Sequence, residues 1–432
     1  MRRPGRGERF FMAVMIQAPK GTHDVLPSEA VKWQYIEKVL RDCAADFGFR
    51  EIRFPTIEHT ELFLRGVGDT TDVVQKEMYT FEDKGGRSIT LRPEGTASVA
   101  RSFIEHGLAG GTLPFKCFYI APNFRYEKPQ AGRLREHHQF GVEVFGSRSP
   151  VQDAEVIGLA DTFLSRLGIH NIRVHINSIG CPVCRKEYHA ALKDYLSERK
   201  DELCCTCLSR LEKNPMRVLD CKSDICKSIA AGAPHCVDYL CEECREHFAA
   251  VQKYLTAMGI DFEIDPNIVR GLDYYTKTVF EFVSENIGAQ GTVCGGGRYD
   301  GLVREIGGPD MPGLGFGSGI ERLMMVMDSL GIPFPEAEPT RLFIACADPA
   351  ADERVQVLVH ALRRAGISCE RDTCARSLKA QMKYADKSGA AAVAVVGGNE
   401  LDAGEIEIKD MRTGEKTACA LDAEAIAAAL NK

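Results

Sequence analysis

The chain has 432 residues and contains no long hydrophobic run. Its apolar stretches all fall short of the roughly 20 residues that a membrane-spanning helix needs. It also has no internal repeat and no low-complexity tract, so a repeat architecture is excluded. With 44% hydrophobic and 27% charged residues, the composition predicts a soluble globular protein of two or three domains with no membrane partner.

Positive charge is not in excess either. The formal net charge is −7, which argues against a protein that coats nucleic acid non-specifically. Any polyanion must therefore be bound by a local group of cations.

The first residues join a basic start to a short apolar stretch and superficially resemble a secretory signal. No small-residue cleavage pattern follows, and 17 cysteines, an odd number, favour a reducing cytoplasm over a disulfide framework. We therefore predict a cytoplasmic protein with an N-terminal extension over residues 1–16. The start of translation is left open among Met1, Met12 and Met15.

No GxxxxGK[ST] phosphate loop is present. Gly313, Gly315, Gly317 and Gly319 precede an apolar helix, but the βαβ unit and acidic residue of a dinucleotide fingerprint are missing. Arg322 lies in the first turn of that helix, where the helix dipole disfavours a cation. A bound anion such as a phosphate would stabilise an arginine there.

Residues 118–146 predict a β-hairpin, because apolar residues alternate in two runs that flank a basic connection. The cations of the connection are Lys128, Arg133 and Arg135. Side chains two residues apart share a face of a strand, so Gln139, Gly141 and Glu143 should share one surface. This surface is interpreted as the floor of an active site; the alternative is a solvated face with a cross-strand ion pair at Glu143.

Along the chain, short alternating strands are joined by hairpins as often as by helices, which predicts an α+β fold with an antiparallel sheet flanked by helices. Residues 49–59 are predicted as one strand and Val151–Leu167 as a helix. The predicted large domain covers 17–330, with a helical, cysteine-rich insertion at about 180–255. A Pro-rich linker at 331–340 leads to a C-terminal α/β domain over 341–432, predicted to have a mostly parallel sheet.

Three arginines lie in motif-like settings without a surrounding cage of carboxylates. They are Arg125, Arg270 and Arg322. Guanidinium forks of this kind suit a triphosphate, since they stabilise charge by bidentate hydrogen bonds. Tyr274 and Tyr275 follow Arg270 and are predicted to lie on opposite faces of a strand; packing in a core is the alternative for either ring.

These segments resemble a known family. FRYEKPQAGRLREHHQFGVEVFG is similar to motif 2 of class II aminoacyl-tRNA synthetases, and GLGFGSGIERL is similar to motif 3. RGLDYYTKTVFEF resembles the signature of histidyl-tRNA synthetases, and APKGTHDVLP and GGGRYDGLV fit the same family. The resemblance extends from about Gln17 to the C-terminus. It implies a class II catalytic domain with a C-terminal anticodon-binding domain.

The resemblance also implies ligands and site residues. The substrates would be L-histidine, ATP accompanied by Mg²⁺, and tRNA(His), and the enzyme would be a homodimer. Arg125 and Arg270 would contact the α-phosphate and Arg322 the outer phosphates, with Glu127 and His137 completing the ATP site. The residues implied for histidine are Glu94, Gly95, Thr96, Gln139, Glu143, Tyr274 and Tyr275, with Glu143 and Tyr275 reading the imidazole. Cations implied for tRNA are Arg133, Arg135, Arg376, Lys379 and Lys383.

One position departs from the family pattern. His137 stands where the family usually carries a phenylalanine that stacks on adenine. An imidazole can also stack, so we expect weaker ATP binding with activity retained.

CxxC pairs occur at three places in the insertion: Cys181/Cys184, Cys204/Cys207 and Cys241/Cys244. This spacing is that of tetrahedral zinc sites, and two pairs could form one site. Free reduced thiols are the equally weighted alternative, because the resembled family does not require zinc. In either case the insertion is expected to cover the acceptor stem.

Two other classes of protein are considered. A non-catalytic histidine-binding subunit would typically lack the C-terminal domain and the catalytic arginines, which this chain has. A zinc-ribbon nucleic-acid binder would explain the cysteines but nothing else. Histidine-dependent exchange of pyrophosphate into ATP distinguishes an enzyme from both.

Overall fold

The computed structural model describes residues 15–68, 71, 73–130, 132–219, 221, 223–285 and 291–431. The predicted extension, except for Met15 and Ile16, lies outside the described residues. The chain divides into two units, Met1–Pro335 and Glu336–Lys432. Within the described ranges, none of the helices combines the length and the apolar character that a membrane span needs.

Strands of the first unit form an eight-stranded and a three-stranded sheet within the described part of the chain. In chain order they are β1 (Arg50–Glu51), β2 (Ile57–His59), β3 (Tyr79–Glu82), β4 (Ser88–Leu91), β5 (Phe115–Phe124), β6 (Glu136–Phe145), β7 (Ile172–Ser178), β8 (Phe262–Ile264), β9 (Thr276–Ser284), β10 (Thr292–Arg298) and β11 (Gly313–Gly319). The large sheet has the order β1-β5-β6-β11-β10-β9-β7-β8. It is antiparallel except at its two edge pairs, which confirms the predicted sheet type.

The helices of this unit flank the large sheet and form the insertion. They are α1 (Pro27–Asp46), α2 (Thr60–Gly66), α3 (Thr96–Glu105), α4 (Pro150–Arg166), α5 (Pro182–Ser197), α6 (Cys205–Lys213), α7 (Met216–Leu219), α8 (Asp224–Ala230), α9 (Glu242–Ala257), α10 (Leu302–Glu305) and α11 (Ile320–Leu330). The helix predicted after the hairpin is thus confirmed to within one residue at each end. The hydroxyl of Ser149 caps it by accepting from the backbone N–H of Val151 at 3.3 Å.

The hairpin β5–β6 has the predicted alternation. Phe140, Val142 and Val144 are buried in a core shared with α1 and α4. The opposite face carries Gln139 and Glu143, so one side of the strand holds the fold together and the other is available for a site.

The prediction of one strand over residues 49–59 is wrong. β1 pairs with β5 in the large sheet, whereas β2 pairs with β4 in the small sheet. Pro55 lies between them, and a proline has no N–H to donate to a ladder, so the strand cannot continue through it.

The second unit is a five-stranded sheet with helices. Its elements are β12 (Leu342–Cys346), α12 (Asp352–Arg364), β13 (Cys369–Arg371), α13 (Leu378–Lys387), β14 (Ala392–Val396), α14 (Gly398–Ala403), β15 (Glu405–Asp410), β16 (Lys416–Ala420) and α15 (Ala423–Leu430). β13, β12 and β14 are parallel, but β15 and β16 add antiparallel pairs. The sheet is therefore parallel in two of its four strand pairs and not mostly parallel as predicted, because the β15–β16 hairpin adds the two antiparallel pairs.

Candidate active site

The glycines of β11 leave space for longer side chains of the neighbouring strand β6. A Cβ added at Gly315 would overlap the carboxylate of Glu143, and one added at Gly317 would overlap the amide of Gln139. A β-strand side chain at either position would therefore displace a side chain of β6. This close approach is a physical reason for glycine at both positions.

Arg125, Arg270 and Arg322 line one open cavity of about 210 Å³ together with His137 and Gln139. The three arginines, which are distant in the sequence, reach it from the end of the hairpin, from the loop before β9 and from the first turn of α11. The structure thus brings together the three cations that the sequence singled out.

Each arginine is anchored by the protein. Arg125 donates from Nε to the carbonyl of Leu134 at 3.1 Å, and Arg322 donates from Nη1 to the carbonyl of Thr292 at 2.5 Å. Arg270 donates to the carboxylate of Glu281. These bonds fix the side chains before any ligand arrives, which lowers the reorganisation that binding requires.

Electrostatics favour an anion in this cavity. Burial lowers the pKa of Arg125 and of Arg322, and the positive charge of Arg133 lowers both further. Arg125 also lowers the pKa of Arg322. The Nε atom of Arg270 is buried and has no hydrogen-bond partner among the described residues. Crowded, partly desolvated cations with an unused donor are the arrangement that a phosphate group would stabilise.

A second group of polar side chains surrounds the buried carboxyl of Glu143. The Thr96 hydroxyl donates to it at 2.7 Å, and the Tyr299 hydroxyl donates to its other oxygen. Glu94 lies beside it and accepts from the backbone N–H groups of Thr96 and Ala97 at the start of α3, at 2.7 and 2.9 Å. Glu94, Gly95, Thr96 and Glu143 are therefore close together, as the resemblance implied.

Gln139 is oriented by two neighbours that the sequence reasoning missed. Its Oε1 accepts from the amide of Asn123 at 2.9 Å and from the hydroxyl of Tyr119 at 3.2 Å. Both come from β5, at positions two and six residues beyond Cys117, which opposes Glu143 across the hairpin. Extending the alternation analysis from β6 to β5 would have found them.

The prediction for Tyr274 and Tyr275 is wrong in one respect. Both precede β9, and their rings lie 4.7 Å apart in the same buried cluster, so they do not lie on opposite faces of a strand. The ring of Tyr274 also packs edge-on against Tyr299 at 5.5 Å. Tyr275 lies under the guanidinium of Arg270, whose Cζ is 5.8 Å from the ring centre. Both tyrosines therefore belong to the site, on the side between Glu143 and the arginines.

His137 lies on the same face of β6 as Gln139 and lines the arginine cavity. Burial and the charges of Arg125 and Arg322 hold the pKa of its imidazole well below the usual value, so the ring is neutral near pH 7. A neutral ring next to two cations can stack on another aromatic system without adding charge.

Known proteins resemble this chain over nearly its whole length. Residues 21–323 match the sequence model of the family described as "Histidyl-tRNA synthetase", and residues 341–431 match the model described as "Anticodon binding domain". The chain belongs to the histidyl-tRNA synthetase family. A histidine–tRNA ligase of Caldanaerobacter subterraneus is 56% identical over 95% of this chain and 98% of its own, and one of Acetivibrio thermocellus gives the same values. The crystal structure of apo S. aureus histidyl-tRNA synthetase has a TM-score of 0.83 at 40% identity, covering 97% of this chain and 100% of its own.

The chain therefore has the class II synthetase fold and a separate C-terminal anticodon-binding domain. The two other classes considered from the sequence each leave one of these two matches unexplained.

The cations predicted for tRNA lie in different settings. Arg133 pairs with the carboxylate of Glu127, and Arg135 stacks on the ring of Tyr126 with its Cζ 4.0 Å from the ring centre. Glu127 also lies 3.6 Å from Nε of Arg125, so this network continues to the arginine cavity. Burial and the neighbouring carboxylate of Glu127 raise the pKa of Glu77 to about 7.

In the second unit, Lys379 and Lys383 are exposed on α13. Arg376 lies outside this helix, since α13 begins at Leu378, and its guanidinium is held by Asp372 at 2.7 Å. Arg376 also stacks on Tyr384, with its Cζ 4.7 Å from the ring centre. It still lies near the lysines, but the chain before the helix positions it.

The cysteines of the insertion do not form a single site from two of the CxxC pairs. Cys181 and Cys184 lie with Cys241 and Cys244, whereas Cys204 and Cys207 lie with residues outside the three CxxC pairs. Those residues are Cys221 and Cys226, which are five residues apart and so lack the CxxC spacing. The structure therefore contains two four-cysteine groups among the described residues, where the sequence indicated one.

Glu143 gives the protein a characteristic pH dependence. Burial raises the pKa of its carboxyl to about 8, against an unperturbed value of about 4.5. Between these values the unfolded chain releases a proton that the folded chain keeps, so stability contributed by this group falls as pH rises from about 5 to 8. We compare the melting temperatures of Glu143→Gln and the parent. The difference, variant minus parent, should increase by several °C as the pH rises from about 5 to 8. Differential scanning calorimetry without ligands measures it, and a difference that is constant with pH would contradict the assignment.

Proposed function

We propose that this protein is a cytoplasmic histidine–tRNA ligase that activates L-histidine with ATP and transfers it to tRNA(His). The observation that carries the proposal is the convergence of three anchored arginines on one cavity beside a pocket centred on Glu143. The histidine–tRNA ligases that are 56% identical over nearly the whole chain support the same activity.

The arginines fit the activation step. The histidine carboxylate attacks the α-phosphorus of ATP, the bond to the β-phosphate oxygen breaks, and pyrophosphate leaves. Arg125 and Arg270 would hold the α-phosphate, and Arg322 the outer phosphates. Guanidinium groups lower the barrier here by positioning and by stabilising charge on the phosphoryl oxygens, without taking up a proton.

Carboxylates next to the arginine cavity would hold a divalent metal. Mg²⁺ prefers one or two carboxylates together with phosphate oxygens, and Glu127 and Glu281 adjoin Arg125 and Arg270. With ATP bound, Mg²⁺ would neutralise charge on the phosphates. The residues of the chain hold the α-phosphate in line with the incoming carboxylate.

The pocket around Glu143 fits a histidine side chain. A neutral imidazole has one N–H donor and one nitrogen acceptor, and it needs partners of opposite kind. Glu143 would accept from the ring and Tyr275 would donate to it, while Glu94 and Thr96 would hold the α-amino group and Gln139 the carboxylate end. A different amino acid would leave these buried groups unpaired, which can reject it by roughly 10⁴ without editing.

In the second step a ribose hydroxyl of the terminal tRNA nucleotide attacks the carbonyl carbon of histidyl-adenylate. AMP leaves, the hydroxyl proton is released, and an aminoacyl ester remains. Cations proposed to contact the tRNA are Arg133, Arg135, Arg376, Lys379 and Lys383. A homodimer is part of the proposal, because subunit association is the rule in this class, and size-exclusion chromatography with light scattering tests it.

Histidine-dependent exchange of labelled pyrophosphate into ATP tests the proposed activity. We expect exchange with L-histidine and none above background with other amino acids. Absence of exchange in a folded protein that still binds histidine would instead favour a non-catalytic histidine-binding subunit.

The imidazole of His137 makes a separate prediction about ATP. Replacing it with phenylalanine, which offers a larger apolar face for the adenine, should lower the KM for ATP by about 2- to 10-fold, the range expected from a stacking gain of about 0.5–1.5 kcal/mol. Pyrophosphate exchange at saturating histidine measures it. The exposed His170, changed to phenylalanine, is the control and should leave the KM unchanged. An unchanged or higher KM in His137→Phe would refute the stacking role.

A further inference from the structure

Eight cysteines of the insertion form two groups of four, and in each group the sulfur atoms all lie within 4.8 Å of one another. The neck cluster consists of Cys181, Cys184, Cys241 and Cys244, and the inner cluster consists of Cys204, Cys207, Cys221 and Cys226. We propose that each cluster binds one structural Zn²⁺ ion through four thiolates.

The spacing of the sulfur atoms matches a single tetrahedral ion. Zn–S bonds of about 2.3 Å give neighbouring sulfurs a separation of about 3.8 Å. The Cys181 sulfur is 3.7 Å from that of Cys184 and 3.9 Å from that of Cys241. In the inner cluster, Cys204 and Cys221 are 3.9 Å apart. A disulfide would need about 2.05 Å, and a four-iron cluster would need space for its own atoms between the thiolates.

The chain around each cluster favours thiolates. Cys181, Cys204 and Cys241 each immediately precede a helix, namely α5, α6 and α9. The partner cysteine three residues later lies in the first turn of that helix. Both therefore lie at the positive end of a helix dipole, which stabilises a thiolate.

Backbone N–H groups add to this stabilisation. Cys184 accepts from the N–H of Cys241 at 3.1 Å, Cys226 from that of Cys204 at 3.4 Å, and Cys221 from that of Ser223 at 3.4 Å. Such donors orient metal-bound thiolates and offset their charge. With four protein ligands in each cluster no coordination position is left for substrate, which is typical of a structural site.

The neck cluster joins the two ends of the insertion. Cys181 follows β7, where the insertion leaves the sheet, and Cys241 immediately precedes α9, where the chain returns. Next to it, Arg185 donates to the carbonyls of Ile179 and Tyr275. An ion at the neck would therefore fix the insertion against the loop that carries Tyr275.

The inner cluster brackets α7 along the chain, since two of its cysteines precede this helix and two follow it. Arg217 of α7 is buried and donates to Asp273 at 2.6 and 3.0 Å and to the carbonyl of Arg270 at 3.0 Å. The second ion would hold α6 and α8 around this arginine. The loop from Arg270 to Tyr275 would thus be supported by both metal sites.

Elemental analysis of the full-length protein, produced with added zinc and purified without chelators, tests the proposal. We expect about two zinc ions per chain in the parent. Cys184→Ser and Cys207→Ser should each retain about one, and the double variant none. Cys205→Ser, an exposed neighbour of the inner cluster, and Cys236→Ser, a buried cysteine outside both groups, are matched controls that should retain two.

Fewer than about 1.5 zinc ions per chain in the parent would overturn the two-site proposal, as would loss of zinc in either control. If a cysteine variant does not fold, Co²⁺ exchanged into the parent gives the same answer. Two equivalents should produce the visible bands and sulfur-to-metal charge transfer of tetrahedral thiolate cobalt. Saturation at one equivalent, or octahedral spectra, would overturn the proposal equally.

Discussion

Arg270→Ala is expected to lower kcat for histidine-dependent pyrophosphate exchange by about 10²- to 10³-fold, the cost typical of removing one fixed donor to a transition-state oxygen. Arg270 is the arginine with a buried, unpartnered Nε among the described residues and a carboxylate partner that holds it in place. The hydrogen bonds of Arg270 strengthen as charge builds on the phosphoryl oxygens in the transition state. We therefore expect the fold decrease in kcat to be larger than the fold increase in KM for histidine.

Two further variants make this result specific. Arg270→Lys keeps the charge but loses the planar fork, so we expect it to recover at most about tenfold of the lost activity. Arg53→Ala is the control, because its side chain is 81% exposed. If folded Arg270→Ala lost less than about tenfold in kcat, Arg270 would not be a catalytic residue.

Glu143→Gln is expected to lower kcat/KM for histidine by about 100-fold while leaving the KM for ATP nearly unchanged. The carboxyl of Glu143 already accepts from the hydroxyls of Thr96 and Tyr299. An amide replaces one acceptor oxygen with an NH₂ donor, so one buried group loses its partner, at a cost of about 1–3 kcal/mol. The site would then fail to satisfy both the hydroxyls and the imidazole.

The same variant separates binding from folding. The difference between its melting temperature and that of the parent should rise with pH, because the variant lacks the buried carboxyl whose ionisation destabilises the parent fold. A folded variant that shows this trend and uses histidine poorly would therefore locate the defect in the pocket. Glu263→Gln, at an exposed position of β8, is the matched control. A loss below about fivefold in Glu143→Gln would remove Glu143 from the proposed imidazole contacts.

Local patterns predicted the central part of the fold. Alternation of apolar residues fixed which face of β6 packs in the core and which carries Gln139 and Glu143, because a strand has a strict two-residue period. The place of Arg322 in the first turn of α11 was likewise readable, since helix periodicity and its start are local signals. That the three arginines share a cavity came from family resemblance, because no local rule relates residues so far apart.

The errors arise where tertiary contacts override local pattern. Tyr274 and Tyr275 have strand-forming side chains, but Tyr274 packs against Tyr299 and Tyr275 packs against Tyr274, so both rings lie in one cluster. The CxxC spacing identified six cysteines, whereas Cys221 and Cys226 join the inner cluster only through the path of the chain around α7. Similarly, Tyr119 and Asn123 support Gln139 across the hairpin, a relation that depends on register.

A crystal structure with L-histidine and a non-hydrolysable ATP analogue tests the central claim most directly. We expect the guanidinium groups of Arg125 and Arg270 within hydrogen-bond distance of the α-phosphate, Arg322 on the outer phosphates, and the imidazole between Glu143 and Tyr275. Ligands bound elsewhere, or these arginines turned away from the phosphates in the liganded protein, would contradict it.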